Sequence, residues 1–183
     1  MSNKLGFLIY NFLGLQITWA ACAYGATHSQ PMLGVIVGVI YLIFHFSFTP
    51  TRRNDIFTMC CLATFGIAMD YINMRIGIIS FSDTNESNFI PLWLISLWCV
   101  FSLMIPHSLH WLSKKPLLAF MLGGLGGSSS YWLGHKLGAI MLSQPLTMSV
   151  AVYFIEWAFY IVIAYSIFRI ISKTSSSNHL HQT

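Results

Sequence analysis

Charged side chains are scarce in this chain of 183 residues, and their scarcity decides its class. Lys, Arg, Asp and Glu make up 8% of the residues, whereas hydrophobic residues make up 56% and aromatic residues 15%. A soluble globule of this size needs more polar surface than these residues supply. The composition therefore excludes an ordinary soluble protein and predicts an integral membrane protein.

The chain also lacks a polar stretch long enough to form a soluble domain. Its longest polar segments are residues 80–88 and the tail, residues 172–183. Windows of about 20 apolar residues predict about six transmembrane helices with short connections, at residues 5–26, 32–48, 56–79, 89–112, 116–142 and 147–171. We therefore predict an all-α membrane fold, a polytopic bundle that forms a single integral membrane domain over residues 1–183.

Motifs that carry chemistry are missing as well. The sequence has no P-loop, no H-E-x-x-H and no nucleophile elbow. Residues 124–129 approach a G-x-G-x-x-G pattern, but this run ends in serine and lacks the preceding strand of a dinucleotide site. The four cysteines show no C-x-x-C spacing and fall inside predicted spans, where they serve as small apolar fillers. We expect no catalytic residue, no cofactor and no resident metal, and we favour a non-enzymatic function.

Positive charge is unevenly distributed between the two sides of the predicted bundle. Seven of the basic residues fall at the amino terminus, in the second and fourth loops or in the tail: Lys4, Arg52, Arg53, Lys114, Lys115, Arg169 and Lys173. An even number of spans puts all of these on one side, and basic loops mark the cytoplasmic side. We therefore expect both termini to be cytoplasmic. The opposite side holds Arg75, Lys136 and the acidic loop at residues 82–87. The pattern lacks the basic, aromatic stripe of a nucleic-acid binder, so we exclude nucleic acid as a partner.

A glycine-rich run at residues 123–138 lies inside an otherwise apolar stretch. Small residues in membrane helices let two backbones approach closely. Gly126, Ser130, Gly134 and Gly138 are four residues apart, which predicts a helix-packing ridge, with His135 and Lys136 at its outer end.

Two carboxylates, Asp70 and Glu156, interrupt predicted spans. A charge at the centre of a membrane helix costs at least about 2.5 kcal/mol, so each needs a partner or a task. Both lie at similar predicted depth, with Asn73 one turn from Asp70 and with Arg75 and Lys136 just above. One interpretation is a structural ion network that joins spans three, five and six. The other is a proton-linked transporter of small solutes, in which Asp70 and Glu156 titrate.

Three histidines lie near the predicted cytoplasmic face. His107 and His110 are three residues apart after Pro106, and His45 lies near the inner end of span two. Together they suggest a membrane-embedded metal enzyme, although the spacing fits zinc only loosely. The alternative is interfacial histidines that form hydrogen bonds across helices.

One set of residues forms a pattern that extends over nearly the whole chain: Asn11-Phe12, Gln16, Trp19, Asp70, Pro91-Leu92-Trp93, Leu97-Trp98, the run from Ser108 to Leu112 and the run from Tyr131 to Ala139. This pattern resembles that of a bacterial inner-membrane family, domain of unknown function 2878. The resemblance implies a small multi-span protein of the bacterial inner membrane, whose relatives often lie near genes for fatty-acyl-modifying enzymes similar to cyclopropane fatty acid synthases. It implies an association with lipid and supplies no catalytic residue.

These observations favour a non-catalytic membrane protein that binds or passes a lipid-like molecule or docks a lipid-modifying partner protein. Membrane lipids are its expected partners. The proton-linked transporter and the metal enzyme remain the alternatives.

Overall fold

A computed structural model describes residues 2–81 and 89–180, and most of these residues are helical. The six α-helices are α1 (Ser2–Thr27), α2 (Met32–Phe48), α3 (Arg52–Arg75), α4 (Leu92–Ser102), α5 (Pro116–Leu137) and α6 (Leu146–Leu180). A short strand β1 (Ile79–Ser80) pairs antiparallel with β2 (Met141–Leu142), and a 3-10 helix covers His110–Lys114. The acidic loop at residues 82–87 lies outside the described residues. The prediction of an all-helical fold is confirmed.

Three of the helices are long and apolar enough to cross a membrane. These stretches are Lys4–Thr27, Arg52–Arg75 and Leu146–Thr174, while Met32–Phe48 and Leu92–Ser102 are apolar but shorter. Large apolar side chains also cover the outside of the bundle, since Phe48 is 70% exposed and Leu117 76% exposed. Lipid solvates such a surface, whereas water does not. The chain is therefore a membrane-type helical protein, and three helices in its described part are both long and apolar enough to span a membrane.

The predicted fourth span, residues 89–112, is not one helix. Helix α4 ends at Ser102, and turns carry the chain from there to the 3-10 helix. Pro106 explains the break, because a proline lacks a backbone N–H and its ring collides with the carbonyl four residues earlier, here that of Ser102. Leu103 and Ile105 in these turns are fully buried. The break is thus packed inside the protein.

Helix α4 lies at the centre of one half of the bundle, where it packs against α1, α2 and α3. Helix α5 packs along α6, and α3 connects the two halves by contacting α6. Helices α1 and α5 barely touch. The bundle therefore has a cleft between α1 and α5.

The close contacts of α5 with α6 are made by glycines other than Gly126 of the predicted ridge. A Cβ atom added to Gly127 would lie 2.0 Å from Cγ of Trp157 on α6, and Gly123 and Gly124 are similarly tight against α6. Gly126, by contrast, has no atom of a neighbouring element within 4 Å of such a Cβ. Gly138 lies beyond the end of the helix and caps it with a φ of +83°, a left-handed conformation that glycine adopts without strain.

Candidate functional site

The cleft between α1 and α5 is a cavity of about 480 Å³. Helix α4 forms its floor and α6 closes it from behind. Its lining is mostly apolar and includes five tryptophans: Trp19, Trp93, Trp98, Trp111 and Trp157. Leu122 and Leu133, which also line the cleft, are 42% and 41% exposed. The cleft is therefore partly open, and apolar side chains line its opening.

The glycine-rich run provides one wall of this cleft. Gly126, Ser130 and Gly134 of the predicted ridge line it, together with Gly123 and Gly127. Because these residues carry little or no side chain, the space beside α5 is left open on this face. The run thus has two functions in the fold: one face packs on α6 and the other shapes the cleft.

A few polar groups lie in the apolar wall. The indole N–H of Trp19 on α1 donates a hydrogen bond of 2.8 Å to Oγ of Ser130 on α5, across the cleft. Gln16 lines the cleft one turn before Trp19. The indole nitrogen of Trp157 is buried and forms no hydrogen bond with the part of the chain that the structure describes.

Asp70 lies directly behind the cleft and is fully buried. Nε1 of Trp98 donates a hydrogen bond of 2.7 Å to its Oδ2, and the hydroxyl of Tyr131 lies 2.6 Å from both carboxylate oxygens. Both donors also line the cleft. The ring of Tyr153 stacks on Tyr131 at a centroid distance of 3.8 Å. Asp70 on α3 thus accepts hydrogen bonds from neutral donors on α4 and α5, and these bonds link the three helices.

The other polar residues predicted near Asp70 have different partners. Nδ2 of Asn73 donates a hydrogen bond of 2.7 Å to Oε2 of Glu156, which links α3 to α6. Arg75 is exposed, and no ion pair among residues 2–81 and 89–180 links it or Lys136 to Asp70. Nζ of Lys136 lies 5.8 Å from the centre of the Trp132 ring, and His135 accepts a hydrogen bond from the backbone of Leu142. Hydrogen bonds from neutral donors to the carboxylates of Asp70 and Glu156 therefore join these helices.

A second polar cluster lies at the opposite end of α3. Nε2 of His45 and Nε2 of His107 lie 3.1 Å and 3.0 Å from the same oxygen, Oδ2 of Asp55. His45 comes from the last turn of α2, Asp55 from the first turn of α3 and His107 from the turns after α4. His110, which the sequence grouped with the other two histidines, instead places its ring against Phe168. Among residues 2–81 and 89–180, the side chains that lie close enough together to hold a metal are therefore His45, Asp55 and His107.

Asp55 is the site residue that the sequence did not single out. A carboxylate in the first turn of a helix is an ordinary favourable interaction with the helix dipole, so it gave no signal by itself. The available signal was the short connection between α2 and α3, which brings the end of one helix beside the start of the next. That connection places His45 and Asp55 together.

Comparison with known proteins identifies a family. The model of the family described as "Protein of unknown function (DUF2878)" matches residues 8–163, which is most of the chain. No curated protein and no solved structure matches it. The matched segment includes the cleft, Asp70 and the cluster around Asp55. The chain therefore belongs to the DUF2878 family of proteins of unknown function.

Proposed function

We propose that this protein is a non-catalytic, multi-pass protein of the bacterial inner membrane that holds the acyl chain of a membrane lipid in the cleft between α1 and α5. One observation carries the proposal: the cleft beside the glycine-rich run is mostly apolar, has a volume of about 480 Å³ and is partly open between exposed leucine side chains. Acyl chains are the apolar molecules that surround such an opening in a membrane. Binding or passing such a lipid, or presenting it to a lipid-modifying protein, would follow from this site.

The size and chemistry of the cleft support an acyl chain. Its volume of about 480 Å³ falls within the about 300–1,000 Å³ that small-molecule sites usually have. Tryptophan and leucine side chains supply dispersion contacts along its length. Ser130 and Gln16 are polar groups suited to the ester or headgroup of a lipid.

The proposal includes six membrane crossings with both termini in the cytoplasm. One contact supports this arrangement: Arg169 of α6 donates a hydrogen bond to the carbonyl of Ser113, next to Lys114 and Lys115 in the chain. The antiparallel pair of β1 and β2 connects the loops at the other end. A fluorescent protein fused after Thr183 is expected to fluoresce, because it folds in the cytoplasm. An alkaline phosphatase fused there, active only outside, would contradict this orientation by showing activity.

The lipid proposal is tested by filling the cleft without disturbing helix packing. Gly126→Leu places a side chain into the cleft at a position where a Cβ meets nothing within 4 Å. Gly6→Leu is the matched control, because Gly6 also has open space around it but does not line the cleft. Each protein is purified gently, and the lipids that remain bound are quantified by mass spectrometry after extensive detergent washing.

We expect wild-type protein and Gly6→Leu to retain a lipid in near-stoichiometric amount and Gly126→Leu to lose most of it. Thermal unfolding in detergent shows whether all three proteins are folded. Equal lipid retention by wild type and Gly126→Leu would overturn the proposal. Recovery of a specific protein partner without lipid would favour a docking function instead.

A further inference from the structure

The cluster of His45, Asp55 and His107 is separate from the proposed lipid site, because none of its three residues lines the cleft. It joins the end of α2 and the start of α3, where His45 and Asp55 are 10 residues apart, to the turns after α4, where His107 lies 52 residues beyond Asp55. Two of the side chains are almost completely buried, His45 at 0% exposure and Asp55 at 1%, and His107 is 12% exposed.

The distances within the cluster match those between neighbouring ligands of one metal ion. Ligand nitrogens and oxygens bind zinc at about 2.0–2.2 Å, so two adjacent ligands of one ion lie about 3.0–3.5 Å apart. The two Nε2 atoms are 3.1 Å and 3.0 Å from Oδ2 of Asp55, and one ligand atom from each residue lies within 4.8 Å of the others. Two imidazoles and one carboxylate are a donor set that suits divalent zinc, iron, cobalt and nickel.

The surrounding residues hold these side chains in place. Nδ1 of His45 lies 3.5 Å from the hydroxyl of Tyr41, to which Nδ2 of Asn11 donates a hydrogen bond of 2.8 Å. The hydroxyl of Thr49 donates to Oδ2 of Asp55 at 2.5 Å, and that of Thr51 donates to Oδ1 at 3.1 Å. Hydrogen bonds to the second nitrogen of a histidine and to a ligating carboxylate are typical of metal sites, where they orient the ligands.

Aromatic packing covers the cluster from the side of α1. The ring of Phe7 lies 5.7 Å from that of His45 and 5.0 Å from that of His107. A cover of this kind keeps water from the ligands and strengthens electrostatic attraction between a cation and the carboxylate. The partial exposure of His107 gives an ion access to the site from that residue's side.

We propose that His45, Asp55 and His107 bind one divalent transition-metal ion of the zinc class. The ion ties α2 and α3 to the buried turns that follow α4, at the end of the bundle where α4 breaks off. Its function is structural, since it fixes a segment of short turns that lies outside the regular α-helices. Binding and stability are therefore its measurable properties.

The test uses full-length protein purified without a histidine tag and freed of metal by a chelator. His179 and His181 near the carboxyl terminus are both replaced by alanine in every protein compared, so that adventitious binding at the tail is removed. Zn²⁺ and then Co²⁺ are titrated into the protein, with bound Zn²⁺ measured by elemental analysis and Co²⁺ by its visible absorption. Thermal unfolding is followed with and without Zn²⁺.

We expect one equivalent of either ion to bind the parent protein and Zn²⁺ to raise its unfolding temperature, because an ion that binds only the folded state stabilises it by mass action. His107→Ala and Asp55→Asn should each lose stoichiometric binding and the thermal shift. His110→Ala is the matched control and should keep both, since His110 packs on Phe168. Asp55→Asn keeps the shape of the side chain, which provides a folded variant if His107→Ala does not fold.

The proposal is overturned if the parent protein binds no Co²⁺ saturably, or if His107→Ala and Asp55→Asn bind as the parent does. In that case the three residues hold one another by hydrogen bonds alone, with Asp55 accepting from both imidazoles. This outcome leaves the lipid proposal unaffected, because lipid retention is measured at a different site.

Discussion

At the scale of single residues, Asp70 is a carboxylate that the fold holds on both oxygens. It is fully buried, and its described hydrogen bonds come from the neutral donors Trp98 and Tyr131. A buried carboxyl in this position depends on these donors, because an unsatisfied acceptor away from water is costly. The same two donors line the cleft, so the shape of the cleft and the environment of Asp70 are coupled.

Replacing Tyr131 with phenylalanine removes the hydroxyl that serves both oxygens of Asp70. We expect the free energy of unfolding to fall by about 1–3 kcal/mol, the usual effect of leaving a buried acceptor without its donor. The free energy of unfolding is measured by titrating the protein with a denaturant in mixed micelles. Tyr24→Phe is the matched control, since Tyr24 is 53% exposed on α1. An equal loss in both variants would contradict this account of Asp70.

The sequence identifies some of these residues and misses others for a physical reason. Asp70 was predictable because a carboxylate inside an apolar span is rare and needs a partner. Its partners were not, because an indole and a phenol look like ordinary packing residues in an aromatic-rich chain. Asp55 and His45 lie near helix ends, where polar side chains are common, so only the folded arrangement shows that they meet.

At the scale of helices, α5 shows how one sequence pattern serves two surfaces. Spacing by four residues predicted the small-residue face through Gly126, but the contacts with α6 fall on Gly123, Gly124 and Gly127. A glycine-rich helix is small all round, so its sequence does not show which side meets a neighbour. The bulky residues of α6, above all Trp157, decide that.

Two alanine variants distinguish the faces of α5. Gly127→Ala places a Cβ 2.0 Å from the Trp157 ring, and we expect such overpacking to destabilise the protein by about 1–3 kcal/mol. Gly126→Ala meets open space, and we expect it to be neutral or to stabilise the helix by up to about 1 kcal/mol. Thermal unfolding in one detergent compares them. The opposite order would show that α5 packs through the predicted ridge.

Helix α4 ends earlier than the hydropathy pattern predicts. Pro106 was visible in the sequence as a point of distortion, and apolar residues continue on both sides of it. The hydropathy pattern therefore predicted one span across residues 89–112, while the backbone ends its helix at Ser102. The reason is local, because the proline ring and the missing N–H act on the preceding turn, whereas hydropathy averages over the whole window.

At the scale of the whole molecule, the helices form two groups, α1 to α4 and α5 with α6, which meet through α3 and α6. The membrane class and the all-helical fold follow from composition alone. The cleft does not, because it exists where α1 and α5 fail to meet, and periodicity within each helix cannot show which helices are neighbours. A cavity walled by glycine and tryptophan and open on an apolar surface is the feature from which we infer lipid binding.

The most direct test of that inference is to locate a bound acyl chain by photochemical crosslinking. A phospholipid with a diazirine in its acyl chain is incorporated into membranes that contain the protein, and the labelled peptides are identified by mass spectrometry. The account predicts labelling concentrated on the peptides that line the cleft, around Trp19, Trp98 and Ser130, and predicts its loss in Gly126→Leu but not in Gly6→Leu. Labelling spread evenly over exposed residues such as Ile43 and Leu117, and unchanged in Gly126→Leu, would contradict it.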